Sequence, residues 1–299
     1  MCTEPESMIP ITTHHARNIV LIGDHKQLQP IILEEKAKHL GLQTSLFERY
    51  SEKSSMLETQ YRMHTGIMEF PSDMFYDGKL KCGSEKQQEP VKLDIWPNGK
   101  DHPMVFCHVE GTEDGLTVAT EDGSEMSKFN QIEAEFVVNA AINLVNNYGV
   151  NKKDIVILSQ YRAQCATIKR LFEEKKVKDM IVLTVMASQG SEWDFVIFST
   201  VRSQPQDTIE EYPSKKWMRL NLGFTTNGHQ INVALTRARW GHIIIGNKHL
   251  LGCGPFWNTL IKGYGNKSLV TDANSFHLTR HPQTRNTEIE EDENQPPKN

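Results

Sequence analysis

A carboxylate, an amide and a permissive turn stand together in Gly23-Asp24-His25-Lys26-Gln27-Leu28-Gln29-Pro30, directly after the apolar run Ile19-Val20-Leu21-Ile22. Gly23 allows a sharp departure from a strand. Asp24 offers a carboxylate, and the Gln27 amide can donate to a phosphate oxygen while accepting from water. A polar turn that ends in a helix N-cap is the alternative reading of the same residues. Two further segments add positive charge, Gln60-Tyr61-Arg62-Met63-His64 and Asn232-Val233-Ala234-Leu235-Thr236-Arg237-Ala238-Arg239. An arginine beside Val233-Ala234-Leu235 must use its charge on a carboxylate or a bound anion, because a buried charge left alone is costly. On a helix, Arg237 and Arg239 point in different directions, so one can face a phosphate while the other braces the fold. Two structural salt bridges are the alternative. A fourth polar run, Thr184 to Asp194, includes Ser188, Gln189, Gly190 and Glu192 and can contact both a nucleotide and a backbone phosphate, with Gly190 letting the main chain come close. Trp193 could stack on a base, but a tryptophan opening a buried strand is more often core.

These residues need a scaffold, and the pattern of the chain supplies one. Ile19–Ile22, Met104–Val109, Ile155–Leu158, Ile181–Val185, Phe195–Thr200 and Ile243–Ile245 read as strands. Helical spacing appears at Ile132, Phe136, Val137, Ala140, Ala141, Leu144, Val145 and Tyr148, then around Gln164–Glu174 with Cys165, Ile168 and Phe172 inward, and near Ile231–Ala238. Residues 44–76 read as mostly helical, with a short extended piece at Met56-Leu57, up to Asp77-Gly78, and Glu110–Ser127 as an acidic surface loop. Short β-rich runs separated by amphipathic helices indicate an α/β fold, a parallel sheet with helices on both faces. Glu288–Asn299, rich in acids and proline, is expected to be disordered.

Composition excludes more than it selects. Among 299 residues, Lys plus Arg number 33 and Asp plus Glu 38, so no global basic charge marks a nucleic-acid binder, although a local basic groove is compatible with this balance. Cys2, Cys82, Cys107, Cys165 and Cys253 are odd in number and widely spaced, which argues against a disulfide framework. No histidine or cysteine spacing matches a zinc or other metal site. Met1–Pro10 carries Glu4 and Glu6 and lacks the apolar core of a signal peptide, and no run is long enough to span a bilayer. A soluble protein inside the cell is expected, cytoplasmic or nuclear, with no membrane partner.

GDHKQLQP, QYRMH, the TV-x-x-x-QG-x-E-x-x-x-VI stretch and NVALTRAR-x-x-x-x-I-x-GN, in that order over residues 19–247, resemble motifs III, IV, V and VI of the superfamily 1 helicases, in the group that contains the nonsense-mediated-decay RNA helicase. The resemblance implies RecA-like lobes of the P-loop NTPase class that clamp ATP and Mg²⁺ between them and hold single-stranded RNA or DNA across the top. It assigns residues 1–55 to the end of a first lobe, 56–260 to the second lobe and 261–299 to a C-terminal extension. Gln27, Arg62 and Arg237 would face the γ-phosphate, with Gly23, Asp24, Tyr61, Gly190 and Glu192 also lining the nucleotide site. Thr184, Ser188 and Gln189, and Gln160, Tyr161 and Arg162 from a loop resembling one in the family's channel, would contact the nucleic acid. Met186 stands where the family usually has aspartate, which puts the geometry of that loop in question.

The same resemblance carries an absence. No G-x-x-x-x-G-K-[ST] segment occurs in residues 1–299, and no Asp-Glu pair precedes the first strand. Met1–Pro10 resembles the helix just past the acids that hold Mg²⁺, so the N-terminal lobe is an expected partner and the chain alone an expected non-hydrolase. A stand-alone interaction module, such as a transcriptional coactivator fragment, is the second reading. A multidomain member of the group described as a nuclear-receptor coactivator suggests nuclear-receptor or other transcription partners for it.

Overall fold

Hydrophobic alternation fixes which side of each strand meets which helices. The computed structural model describes residues 2–276 apart from Leu33, Lys92, Glu121 and Asp122. In chain order the strands are β1 Thr59–Gln60, β2 Lys81–Cys82, β3 Met104–His108, β4 Asp114–Thr120, β5 Gly123–Phe129, β6 Ile155–Ser159, β7 Ile181–Thr184, β8 Trp193–Ser199, β9 Ala238–Gly246 and β10 Val270–Asp272. The helices are α1 Glu4–Thr13, α2 Glu35–His39, α3 Leu46–Arg49, α4 Thr65–Phe75, α5 Gln131–Asn146, α6 Arg162–Glu174, α7 Lys215–Leu222, α8 Gly228–Leu235, α9 Lys248–Leu251 and α10 Pro255–Asn266. Six strands form one parallel sheet in the order β10-β3-β9-β8-β6-β7.

Val105, Cys107, Ile155, Ile157, Ile197, Ile243 and Ile245 pack on one face with Ala134, Val137, Ala141 and Leu144 of α5 and Ile168 and Phe172 of α6. The intervening residues Met104, Phe106, Val156, Leu158, Phe198 and Ile244 pack on the other face with Ile67 of α4, Ile231 and Ala234 of α8, and Trp257 and Leu260 of α10. A period of two with both phases apolar is the signature of a sheet covered on both sides. The α/β architecture with helices on both faces is therefore as the sequence indicated. Two of the packed helices open on an asparagine cap: Asn130 Oδ1 accepts the Glu133 N–H at 3.0 Å at the start of α5, and Asn227 Oδ1 accepts the Gln230 N–H at 3.1 Å at the start of α8.

Four expectations are corrected. Ile19–Ile22 pairs with no strand among the described residues, and Val20 and Ile22 are 83% and 91% exposed. Its composition suits a strand buried on both faces, but a strand forms only where a neighbour supplies the ladder. Between residues 44 and 76 the only long helix is α4, because α3 spans one turn and residues 54–64 run extended or in turns around β1. Glu110–Ser127 is not a loop: β4 and β5 form an antiparallel hairpin in register from Asp114↔Phe129 to Thr120↔Gly123. Finally, α8 ends at Leu235, so Arg237 lies in the connection and Arg239 in β9 rather than together on a helix.

No helix among the described residues is long and apolar enough to cross a membrane. Glu288–Asn299 lies outside the described residues, as does residue 277 onward of the expected extension.

Candidate functional site

The short connection from α8 to β9 pulls Arg237 into the interior. Its side chain is 1% exposed. Nε donates to Val233 O at 3.0 Å, Nη1 to Ser191 O at 3.1 Å, and Nη2 to Thr236 Oγ1 at 3.0 Å and to Gln27 Oε1 at 3.4 Å. All four partners are neutral oxygens, and among the described residues no carboxylate forms an ion pair with it. Burial, and then the nearby Arg62 charge, pull its pKa down to about 10, so the guanidinium is still charged at neutral pH. A buried cation with no direct ion pair, offset only by the Glu192 and Asp24 charges beyond bonding distance, leaves the position receptive to an anion.

Gln27 reaches Arg237 from the turn after residues 19–22. Asp24 Oδ1 accepts from Lys26 N at 2.9 Å, and the Gln27 N–H donates to Asp24 O at 3.2 Å, so the turn is held by its own aspartate. Arg62 stands on a turn shaped by Gln60, whose Oε1 accepts from Arg62 N at 2.9 Å and Met63 N at 2.8 Å. Its Nε donates to Glu192 Oε2 at 2.5 Å and its Nη1 to Thr236 O at 3.1 Å. Glu192 also accepts from Arg239 at 2.9 and 3.1 Å, and Arg239 Nη1 donates to Asp194 Oδ1 at 3.1 Å. The Arg62 hydrogen bond, more than any other contact, holds the Glu192 carboxyl below its ordinary range. Arg239 is thus paired with two carboxylates, whereas Arg237 has only neutral hydrogen-bond partners. Gln27, Arg62, Arg237, Asp24 and Glu192 converge, although Glu192 is engaged by two arginines.

The remaining expected contact residues separate by burial. Thr184 and Gln160 are partly exposed at the ends of β7 and β6, Arg162 is exposed at the start of α6, and Gln189 is exposed beside Gly190, whose φ of +83° suits glycine. Gln160 Nε2 donates to Phe224 O at 2.8 Å and Gln230 Oε1 at 3.1 Å, and Thr184 Oγ1 accepts from Ala187 N at 3.3 Å. Two are corrected. Ser188 is fully buried with its hydroxyl donating to Val185 O at 2.7 Å, so it closes its own turn. Tyr161 is 4% exposed, with its ring 5.4 Å from that of Phe224 and its hydroxyl accepting the Phe224 N–H at 3.3 Å, so it packs the loop instead of facing a strand. Tyr61 is 74% exposed and lies flat against Gly83, where a Cβ would fall 2.2 Å from the ring. Gly23 approaches the Phe47 ring, and Trp193 packs on the core as expected. Met186 sits exposed in the turn after β7.

Three features had no readable signal. Tyr76 and Asn232 bond to the 24–27 turn. Glu133 is fully buried on α5, its carboxyl accepting from Ser199 Oγ at 2.7 Å and from Val201 N at 2.9 Å. His108, Glu110 and His249 bring side-chain ligand atoms within 4.8 Å of one another, a grouping that the sequence reading of the histidines did not anticipate. Its donor chemistry is that of a hydrogen bond. His108 Nδ1 accepts the Lys248 N–H at 3.2 Å, so the neutral ring carries its proton on Nε2, which faces Glu110 Oε1 at 3.3 Å.

Residues 42–249 match a family model described as an AAA domain, and residues 1–35 match a second model of the same description. The chain is 40% identical over 284 residues to the 3'-5' exoribonuclease HELZ2 of Homo sapiens, an alignment that covers 94% of this chain and 10% of that protein. It is 34% identical over 304 residues to the ATP-dependent helicase NAM7 of Saccharomyces cerevisiae, covering 96% of this chain and 29% of that one. With the regulator of nonsense transcripts 1 homolog of Drosophila melanogaster the identity is 33% over 286 residues, covering 92% and 22%. The chain therefore spans between about a tenth and a third of the length of these relatives.

Proposed function

The chain belongs to the AAA-domain family of superfamily 1 helicases, and from that membership we propose that it supplies the C-terminal half of an ATP-dependent motor moving along single-stranded nucleic acid, RNA in preference to DNA. The observation that carries the proposal is Arg237, a buried cation with neutral partners only, facing Gln27 across the junction between the 24–29 turn and the β9 side of the sheet. Arg237 and Arg62 supply positive charge where negative charge builds up on a phosphoryl group in transfer, and Gln27 supplies a donor. Glu192 tunes Arg62 and joins it to Arg239. Gln160, Arg162, Thr184 and Gln189 form the rim proposed to touch a strand, chiefly through its phosphates, and the exposed Tyr61 ring is proposed to line the nucleotide site. Residues 1–55 are read as the end of the first lobe, 56–260 as the second lobe and 261–299 as an extension.

Mg²⁺, which neutralises phosphate oxygens in this class of reaction, finds no uncommitted carboxylate in the cluster. Asp24 accepts from Tyr76 and Gln27, and Glu192 from two arginines. Its ligands, and the phosphate-cradling lysine, are assigned to an ATP-binding half. Purified chain is therefore expected to release phosphate from ATP no faster than buffer. A stand-alone interaction module is not favoured, and nuclear-receptor or transcription partners, like a cytoplasmic or nuclear site of action, rest on family resemblance alone.

The decisive experiment uses the longer protein with its ATP-binding half. Arg237→Ala should lower ATP turnover by about two to three orders of magnitude while leaving nucleotide-free single-strand affinity unchanged. Unchanged turnover in an active parent would overturn the phosphate role. Loss of turnover on Arg239→Ala, with unfolding on Arg237→Ala, would reverse the two arginines' roles.

A further inference from the structure

Asp24 is the joint of the phosphate-facing cluster, and it is gripped from the second lobe. Tyr76, the residue that closes α4, donates its hydroxyl proton to Asp24 Oδ2 at 2.7 Å. The same hydroxyl accepts from Asn232 Nδ2 of α8 at 2.9 Å, and that amide also donates to Lys26 O at 3.0 Å. Gln27 Nε2 shares Asp24 Oδ2 with the tyrosine, at 2.8 Å. With Nε2 committed to Asp24, the Gln27 amide turns its oxygen toward Arg237 Nη2.

That orientation has a chemical consequence. A phosphate oxygen is an acceptor, so it replaces Gln27 Oε1 as the partner of Arg237. For Gln27 to donate to the same phosphate, its amide must rotate and leave Asp24. Asp24 Oδ2 then keeps one side-chain donor, the Tyr76 hydroxyl.

We propose that Tyr76 is a positioning residue that holds Asp24, and with it the 24–29 turn, against the second lobe while the Gln27 amide exchanges Asp24 for the phosphate. The ring and hydroxyl suit the task. Burial, followed by the Asp24 charge, pushes the phenol's pKa upward, so it stays a donor throughout the working pH range. A phenol is also rigid from its ring to its oxygen, whereas a lysine reaching the same point would have more side-chain rotors to order. The inference rests on the phosphate-facing reading of Gln27 and Arg237, but the bond it invokes can be tested without ATP turnover, so the two readings fail separately.

The test is amide hydrogen exchange on this chain, followed residue by residue. The Lys26 N–H is bonded to Asp24 Oδ1 and the Gln27 N–H to Asp24 O, so both report on the turn. Tyr76→Phe keeps the ring and removes the hydroxyl that donates to the charged Asp24 and accepts from Asn232. It should speed exchange at Lys26 and Gln27 about tenfold and leave the β6 amides of Ile155–Leu158 unchanged. In an Asp24→Asn background the same substitution should have little further effect, because its acceptor is already altered. A tyrosine with a merely structural role would instead give the same acceleration in both backgrounds. Unchanged exchange in Tyr76→Phe, or an undiminished effect beside Asp24→Asn, overturns the proposal. Should Tyr76→Phe also expose the β6 amides, Asp24→Asn alone reads the bond from its other end and must itself release the Gln27 N–H, whose acceptor is the Asp24 main-chain oxygen.

Discussion

Replacing Glu133 by glutamine should make the stability of this chain less dependent on pH, and the size of the effect follows from where the carboxyl sits. Burial pushes the Glu133 pKa from 4.5 up to about 7, against the opposing bonds from Val201 and Ser199. Below pH 4.5 the group is neutral both folded and unfolded, so its contribution is fully present. As pH rises, the unfolded chain ionises first, and stability is lost until the folded carboxyl ionises too, near pH 7. A shift of this size removes about 3.4 kcal/mol in all at 1.36 kcal/mol per unit, about 2.5 kcal/mol of it between roughly pH 5 and pH 8. Glutamine can accept the Ser199 hydroxyl and the Val201 N–H in place of the acid and never ionises. Urea unfolding of both proteins across that range measures the difference directly. The variant should gain on the parent as pH rises, by an amount of this order, on top of any constant offset. A difference flat to within about 0.5 kcal/mol, or one of opposite sign, would refute a carboxyl that stays neutral in the folded chain up to about pH 7.

Arg239→Ala should lower the melting temperature modestly, by the equivalent of about 1 kcal/mol, because its bonds to Glu192 and Asp194 are partly exposed; an unchanged melt would remove its bracing role. Ile22→Lys should leave the stability of this chain within about 0.5 kcal/mol, since the side chain is 91% exposed, and a large loss would mean that Ile19–Ile22 packs after all. The chain alone should bind single-stranded RNA weakly, with affinity falling steeply between low and moderate salt, because the rim contacts are chiefly to phosphates; anisotropy titrations showing tight, salt-insensitive binding would contradict this.

Local chemistry was legible wherever a segment's own neighbours decide its state. The β-branched runs at 155–158, 195–199 and 243–245, bounded by turn residues and separated by amphipathic helices, announce buried parallel strands. The Gly23-Asp24 turn and the Gly190 bend follow from what glycine and aspartate permit. By contrast, Ile19–Ile22 carries the same apolar signal as the other strands and stays unpaired, since composition says what a segment can join and only a neighbour makes the ladder. The β4–β5 hairpin was masked by its acids, although Lys128 and Arg202 offset Glu113 at 3.1 and 2.7 Å.

By itself, then, the sequence determined the α/β class, the order of the charged and polar runs, and the presence of arginines whose charge needs an outlet. Only the tertiary structure decided which charge meets which. Arg62 lies 130 residues from Glu192, Arg239 lies 47 residues from it, and Arg237 lies 210 residues from Gln27. Nothing local to Tyr161 or Ser188 says that each turns inward, and nothing local to Glu133 says that an acid on α5 will be sealed beneath Ser199 and Val201. The physical reason is range: propensity and periodicity act within a few residues, whereas ion pairing and desolvation depend on atoms that folding alone brings within 3 to 4 Å of each other.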